Sequence, residues 1–212
     1  KLLPALYHLV KHRQLPEKMK IVGISRHKVP VSEVYENLHL KIHGDDFDKA
    51  VVEQLHDATE MMQVDLDNDD DYVQLLEDLR VISDELGPGV SRLYYLSIPS
   101  QAFVSVVHHL GEARHHEPFG QDGERPRLLV EKPFGYDTES AETLVKAADE
   151  HFGEQQTFRI DHYLAKETAQ NILTFRFENP LFQTIWNRKH IESIEVIAYE
   201  TIGIENRVVF YE

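Results

Sequence analysis

Short apolar runs, each leading into a segment of helical period, constrain the fold of this chain more than any other feature. Lys20 to Ser25 (KIVGIS), Arg92 to Ile98 (RLYYLSI) and Arg127 to Glu131 (RLLVE) are brief and flanked by charged or turn residues, as strands covered on both faces are. Leu2, Leu3, Leu6, Leu9 and Val10 space as one helix face ahead of Pro16, which is expected to end that helix. Gln101 to Leu110 reads as another helix, and Ala141, Leu144, Val145 and Ala148 form the buried stripe of a helix from about Thr138 to His151. Strand alternating with helix implies a mainly parallel, doubly wound α/β sheet, with right-handed crossovers that put helices on both faces. Ligands of such sheets bind beyond the strand C-termini. Here those positions are Ser25-Arg26, Pro99-Ser100 and Lys132-Pro133-Phe134-Gly135.

The remaining stretches are less regular. Two or three polar helices are expected between Val31 and Leu86, interrupted near Gly44 and by the acidic run Asp65 to Asp71. After Phe158 the pattern changes. A polar-faced helix is predicted from about His162 to Phe177, followed by a half-exposed antiparallel strand from Ile191 to Glu200. The sequence therefore divides into a nucleotide-binding domain over 1–158 and, over 159–212, the opening of an α+β domain with a largely antiparallel sheet.

Charge and composition narrow the function. Among 212 residues, 22 Lys and Arg face 37 Asp and Glu, a net charge of −15. Such a chain lacks the broad positive field that drives nucleic-acid or anionic-membrane binding, so neither is expected as a partner, and any anion site must come from a few placed residues. The absence of cysteine excludes a disulfide framework, a thiolate zinc site and a cysteine nucleophile, and it fits an intracellular, cytoplasmic location. No apolar run approaches the roughly 18 residues that span a bilayer. Chemistry has to come from His, Lys, Asp, Glu or a cofactor.

Three clusters offer it. His162 and Lys166 are four apart, which on a helix places them on one face at its N-terminus, where unpaired N–H groups and two cationic side chains would cradle a phosphate. A solvated helix face explains the same spacing. Lys132, in Glu131-Lys132-Pro133-Phe134-Gly135, follows a central strand and would point across the ligand crevice, although such a segment can also be a plain strand end. Arg26 follows KIVGIS at the position where a dinucleotide fold reads the adenosine ribose. An arginine there suits the 2′-phosphate of NADP as an acidic residue suits the 2′-hydroxyl of NAD, and an ordinary surface arginine is the competing reading. No G-x-G-x-x-G fingerprint occurs. Asp65, Asp67 and Asp69 have calcium-loop spacing, but Asp70 stands where the loop needs glycine and Leu76 where it needs glutamate, so a solvated acidic loop is preferred. The pairs His8/His12, His108-His109 and His115-His116 lack an HExxH motif or a clear third ligand and read as surface histidines, so no metal site is assigned.

EKPFGYDTESA at Glu131 to Ala141 and FRIDHYLAKETAQNILTFRFEN at Phe158 to Asn179 closely resemble the glucose-6-phosphate dehydrogenase family. The resemblance is collinear and extends to KLLPALYHL, IVGISR, LYYLSIP, Trp186-Asn187-Arg188, and Glu200 with Gly203 and Arg207. It implies that His162 and Lys166, helped by Tyr163, hold the sugar 6-phosphate, and that Lys132 contacts substrate and cofactor near the reacting carbon, with Pro133 cis. It further implies that Asp161 orients the catalytic histidine, Glu200 contacts sugar hydroxyls, Arg26 selects the NADP 2′-phosphate and Phe103 contacts the cofactor.

The implied reaction is oxidation of D-glucose 6-phosphate to 6-phospho-D-glucono-1,5-lactone, the first oxidative step of the pentose phosphate pathway, with hydride passing to NADP, or to NAD in relatives that accept both. By the same resemblance, the family's Gly-rich strand and turn would precede Lys1, and its base histidine and most of its dimer-forming sheet would follow Glu212. The chain is thus expected to be an internal fragment, inactive by itself, of an enzyme that is a homo-oligomer at full length. Ala165 replaces the family's usual glycine. The alternatives are another Glu-Lys-Pro type of sugar dehydrogenase, or a non-catalytic sugar-phosphate-binding protein.

Overall fold

KIVGIS, RLYYLSI and RLLVE all fold as strands, and each lies parallel to its neighbours. The computed structural model describes residues 2–42, 47–114, 126–132, 134–135 and 137–197. Contacts divide the chain into two compact units, Lys1–Ile160 and Asp161–Glu212. In the first unit the order is α1 (Leu2–Lys11), β1 (Ile21–Ser25), α2 (Val31–Tyr35), a 3₁₀ turn, α3 (Lys49–Asp57), β2 (Thr59–Gln63), α4 (Asp69–Leu86), β3 (Leu93–Leu96), α5 (Ser100–Arg114), β4 (Arg127–Glu131), α6 (Thr138–His151), a second 3₁₀ turn and β5 (Thr157–Ile160). No described helix is long and apolar enough to cross a membrane.

The described strands form a two-stranded sheet, β1-β2, and a three-stranded sheet, β3-β4-β5, rather than one continuous sheet. Ile21 pairs with Thr59 and Ser25 with Gln63, while Leu96 pairs with Val130 and Glu131 with Ile160. Both sheets are parallel and run in chain order, as the two halves of a dinucleotide-binding sheet do, and β1 and β3 each keep an edge that no described strand pairs.

Helices cover both faces of the β1-β2 sheet. Ile21 packs against a core of Tyr7, Val10, Tyr35, Leu38, Ile42 and Leu55, and its partner Thr59 shares a 2.7 Å hydroxyl–hydroxyl hydrogen bond with Tyr35 of that core. Met62, three residues from Thr59 and therefore on the opposite face, packs against the second core. That core gathers Tyr72 and Leu75 of α4, Val106 and Val107 of α5, Leu128 and Val130 of β4, and Leu144 and Ala148 of α6.

Several expectations change. α1 stops well before Pro16. Arg13 adopts φ 54°, the amide of Gln14 donates to the Leu9 carbonyl at 2.8 Å and that of Arg13 to the Val10 carbonyl at 2.9 Å, the left-handed closure that satisfies the last carbonyls of a helix. Only half of the acidic run is loop. Asn68 caps α4, its side chain accepting from the Asp70 amide at 3.1 Å, and Asp69, Asp70 and Asp71 fill the first turn, where carboxylates favour the positive helix end. β2 and β5 were not foreseen as strands. In Asp161–Glu212, taken by itself, α7 (Glu167–Phe177) and α8 (Pro180–Gln183) bury no residue, although the Phe175 ring lies 4.1 Å from Phe182 and 5.4 Å from Trp186 between ring centroids. Residues 191–197, expected as a strand, form no regular element, and Ala198 to Glu212 lie outside the described residues.

Leu128 is 0% exposed at the centre of the second core, whereas Val145 on α6 is 36% exposed. Leu128→Ala is expected to destabilise the protein by about 2–5 kcal/mol and Val145→Ala by well under half of that. Urea unfolding followed by circular dichroism measures the difference, and equal losses would contradict this assignment of the core.

Candidate active site

The end of β4 is set by parallel pairing on both sides and by the turn that carries the chain into α6. Leu128 and Val130 point into the core, so Glu131 projects from the other face, half-buried. On the neighbouring strand Tyr95 pairs with Leu129, and its hydroxyl donates a short hydrogen bond to Glu131 Oε1. Burial first, then this bond and the charge of Glu131, hold the Tyr95 hydroxyl in its protonated form well above the ordinary tyrosine range. The contact ties β3 to the residue immediately before Lys132, which is exposed.

Beyond Lys132 the chain must turn into α6. Gly135 has φ 85°, and a Cβ there would lie 2.6 Å from the Ala141 amide nitrogen, so the glycine meets both a backbone conformation and a close approach that other residues resist. Asp137 then caps α6 reciprocally. Its carboxylate accepts from the Ser140 amide at 2.8 Å, and the Ser140 hydroxyl accepts from the Asp137 amide at 3.1 Å. The Ser140 hydroxyl and then its amide hold the Asp137 carboxyl below its ordinary value. A cleft of about 410 Å³ opens at this end of the sheet, lined by Gln101 and Val104 of α5 and by Gly135, Asp137, Ser140 and Leu144. A larger cavity of about 670 Å³ beside α3 contains none of the predicted residues.

Arg26 directly follows β1 and is exposed, as a residue reading a ligand at the strand C-termini must be. Phe103, on the buried face of α5, is 5% exposed and belongs to the second core.

In the second unit, Asp161 to Lys166 form a turn ahead of α7, not the first turn of a helix as the spacing suggested. Asp161 caps this turn as an N-cap residue does, and the extended backbone of Lys166 stops the turn short of α7. The Asp161 Oδ1 accepts from the amides of Tyr163 at 3.0 Å and Leu164 at 3.4 Å, and its carbonyl accepts from the Ala165 amide at 3.0 Å. Lys166 becomes the N-cap of α7, with φ −68° and ψ 133° and no side-chain cap bond. Its ammonium sits 4.9 Å from the centre of the Tyr163 ring. A cation at an N-cap adds to the positive end of the helix macrodipole, which is unfavourable unless an anion shares the site, although Glu167 in the first turn offsets part of that charge. His162, Tyr163 and Lys166 are all exposed.

Within each unit, then, Arg26 and Lys132 stand at strand C-termini, and Tyr163 and Lys166 are brought together. Glu200, Pro133, Gly203 and Arg207 lie outside the described residues. Tyr95 and the Asp137–Ser140 cap were not singled out from sequence; the cap is legible as an Asp three residues before a Ser at a helix start.

The depressed Asp137 carboxyl has a pH consequence. Its contribution to stability is complete above the ordinary aspartate value of 3.8 and is lost as the pH falls through its lower folded value. Asp137→Asn, which can still cap, is expected to show a shallower loss of stability than the parent chain as the pH falls below the ordinary aspartate value of 3.8. Urea midpoints across that range read it, and identical slopes would exclude this role for Asp137.

Comparison with known proteins agrees with this geometry. Residues 1–171 match the glucose-6-phosphate dehydrogenase NAD-binding domain, and residues 173–212 match the glucose-6-phosphate dehydrogenase C-terminal domain. Glucose-6-phosphate 1-dehydrogenase of Chlamydia muridarum is 36% identical over 220 residues, which span 100% of this chain and 43% of the relative. That of Aggregatibacter actinomycetemcomitans is 37% identical over 213 residues, 100% of this chain and 42% of the relative. A solved glucose-6-phosphate dehydrogenase in complex with its substrate glucose-6-phosphate superposes with a TM-score of 0.77 at 30% identity, over 89% of this chain and 39% of that one. Glucose-6-phosphate 1-dehydrogenase from Mycobacterium avium gives 0.69 at 28% identity, over 88% of this chain and 38% of that one. The chain thus spans roughly two fifths of the length of the proteins it matches. From end to end it is built on their pattern, and it belongs to the glucose-6-phosphate dehydrogenase family.

Proposed function

We propose that the protein oxidises D-glucose 6-phosphate to 6-phospho-D-glucono-1,5-lactone with NADP as hydride acceptor. The observation that carries the reading is one collinear match to both domain models of the family, within which Lys166 stands as a cationic N-cap beside Tyr163. The first unit takes the cofactor, and the second opens the domain for substrate and for homo-oligomer contacts, in the cytoplasm.

At the α7 end, Lys166, His162 and Tyr163 bind the 6-phosphate, and Lys132 at the end of β4 meets substrate and cofactor near C1. Holding the unreactive phosphate fixes C1 for reaction, so this binding energy serves rate as well as affinity. Asp161 orients the base histidine that takes the C1 hydroxyl proton. Glu200 contacts the sugar hydroxyls. The exposed guanidinium of Arg26, directly after β1, fits the 2′-phosphate of NADP better than an unmodified ribose, because its planar fork pairs with phosphate. NADP, when bound, supplies the carbon that accepts hydride. Phe103, the other residue assigned to the cofactor, contacts it from the buried face of α5.

Titration calorimetry with glucose 6-phosphate and with glucose tests the phosphate role. Lys166→Ala is expected to weaken glucose 6-phosphate binding on the order of 10- to 100-fold, the worth of one charge-assisted contact, while leaving glucose binding nearly unchanged. Equal losses for the two sugars would refute the phosphate site. Arg26→Gln is expected to weaken NADP far more than NAD, and a parallel loss would assign Arg26 a general electrostatic part instead.

A further inference from the structure

We propose that His108 and Glu112 of α5, together with His151 at the end of α6, form a binding site for a divalent transition-metal ion, with Zn²⁺ as its reference occupant. His108 and Glu112 are four apart on one helix and so share a face. His151 is the last residue of α6, which packs against α5. One donor atom from each of the three lies within 4.8 Å of the others. His108 Nδ1 and His151 Nε2 are 3.3 Å apart, with ring centroids 5.3 Å apart and planes at 62°. With metal–nitrogen bonds of about 2.0 Å, a tetrahedral ion needs donors ~3.3 Å apart, so the two imidazoles already stand at that spacing and the carboxylate has only a short distance to close.

Gly111 supplies an independent observation. It lies in the last turn of α5, where glycine is a poorer helix former than alanine. A Cβ there would fall 2.1 Å from both Cγ and Nδ1 of His151. The α5 backbone at this point is therefore bare where the imidazole from α6 rests against it, and the missing side chain admits the ring to His108 and Glu112.

Two imidazoles and a carboxylate suit zinc and similar borderline ions, and the exposure of His108 and Glu112 leaves a fourth position for water. The cluster lies further along α5 and α6 than Gln101, Val104, Ser140 and Leu144, which line the cleft at the helix N-termini. An ion here would fasten α5 to α6 at the end remote from the strand C-termini, a structural link separate from sugar oxidation.

The experiment is Co²⁺ and Zn²⁺ titration of the chelator-stripped protein, read by calorimetry and by the visible absorption of Co²⁺. One dominant site with tetrahedral cobalt bands is expected. His108→Ala, Glu112→Gln and His151→Gln should each weaken binding at least about 10-fold, since even loss of a residue behind the ligands costs that much. Gly111→Ala, which keeps all three ligands, should weaken it comparably by displacing His151. The double change His8→Ala/His12→Ala, on a separate histidine pair at the C-terminal end of α1, should leave it unaltered. His108 and Glu112 are exposed, so their variants keep the core intact, and circular dichroism verifies this. Absence of a dominant site, affinity unchanged by His108→Ala and Glu112→Gln, or an equal loss in the His8/His12 variant would overturn the proposal and leave the two rings as an imidazole–imidazole hydrogen bond.

Discussion

Parallel pairing of β4 between β3 and β5 is the constraint on which the first unit depends. It is the one strand with a described neighbour on each side, and alternation along it sends Leu128 and Val130 into the core while Glu131 meets Tyr95 on the opposite face. A slip of one residue would reverse both at once, burying Glu131 and exposing two core side chains. The same register pairs Glu131 with Ile160, the last residue of the first unit, and fixes where Lys132 leaves the sheet. Gly135 and the Asp137 cap then complete the path into α6 with little freedom. The predicted site residue is thus positioned by the packing of its neighbours in the chain.

The sequence was most legible where burial on two faces leaves a continuous apolar run. β4 and α6 fall at the residues expected, and β1 and β3 within a few of them. The two strands overlooked lie at sheet edges. β2 reads Thr59-Glu60-Met61-Met62-Gln63, with one short apolar pair and few β-branched residues, and β5 is Thr157-Phe158-Arg159-Ile160 with Phe158 and Arg159 exposed. Only pairing to a neighbour makes strands of such segments, and pairing is not a local property. The helix expected from His162 failed for a different reason. Asp161 does cap a turn there, but the backbone of Lys166 leaves the helical region at ψ 133° and α7 starts afresh at Glu167, an interruption that helical spacing alone does not register.

The distribution of charge removes the apparent conflict between an acidic chain and anionic ligands. Many of the carboxylates have local duties. Asp48 and Asp137 cap α3 and α6, Asp69 to Asp71 occupy the first turn of α4, and Glu154 makes a two-bond pair with Arg159. Fields from such groups are screened within about a Debye length of ~8 Å in physiological salt, so they shape their own helix ends and leave Arg26, Lys132 and Lys166 to act locally. Net charge therefore speaks against an extended polyanion as partner and says little about a single phosphate.

Positions where the local sequence works against its own secondary structure separate into two kinds. Arg13 in the left-handed region is compensated on the spot, because the conformation closes α1 with two backbone hydrogen bonds. Lys166 is compensated only in part, by Glu167 in the first turn of α7, and Gly111 has no such local compensation. A cation at an N-cap and a glycine in the last turn of a helix both lower helix stability. What each does is admit something: at Lys166 a concentration of positive charge beside Tyr163, at Gly111 the ring of His151 against the α5 backbone. Local rules broken without full local repair mark places whose reason lies outside the helix, and here they fall at the two proposed ligand sites.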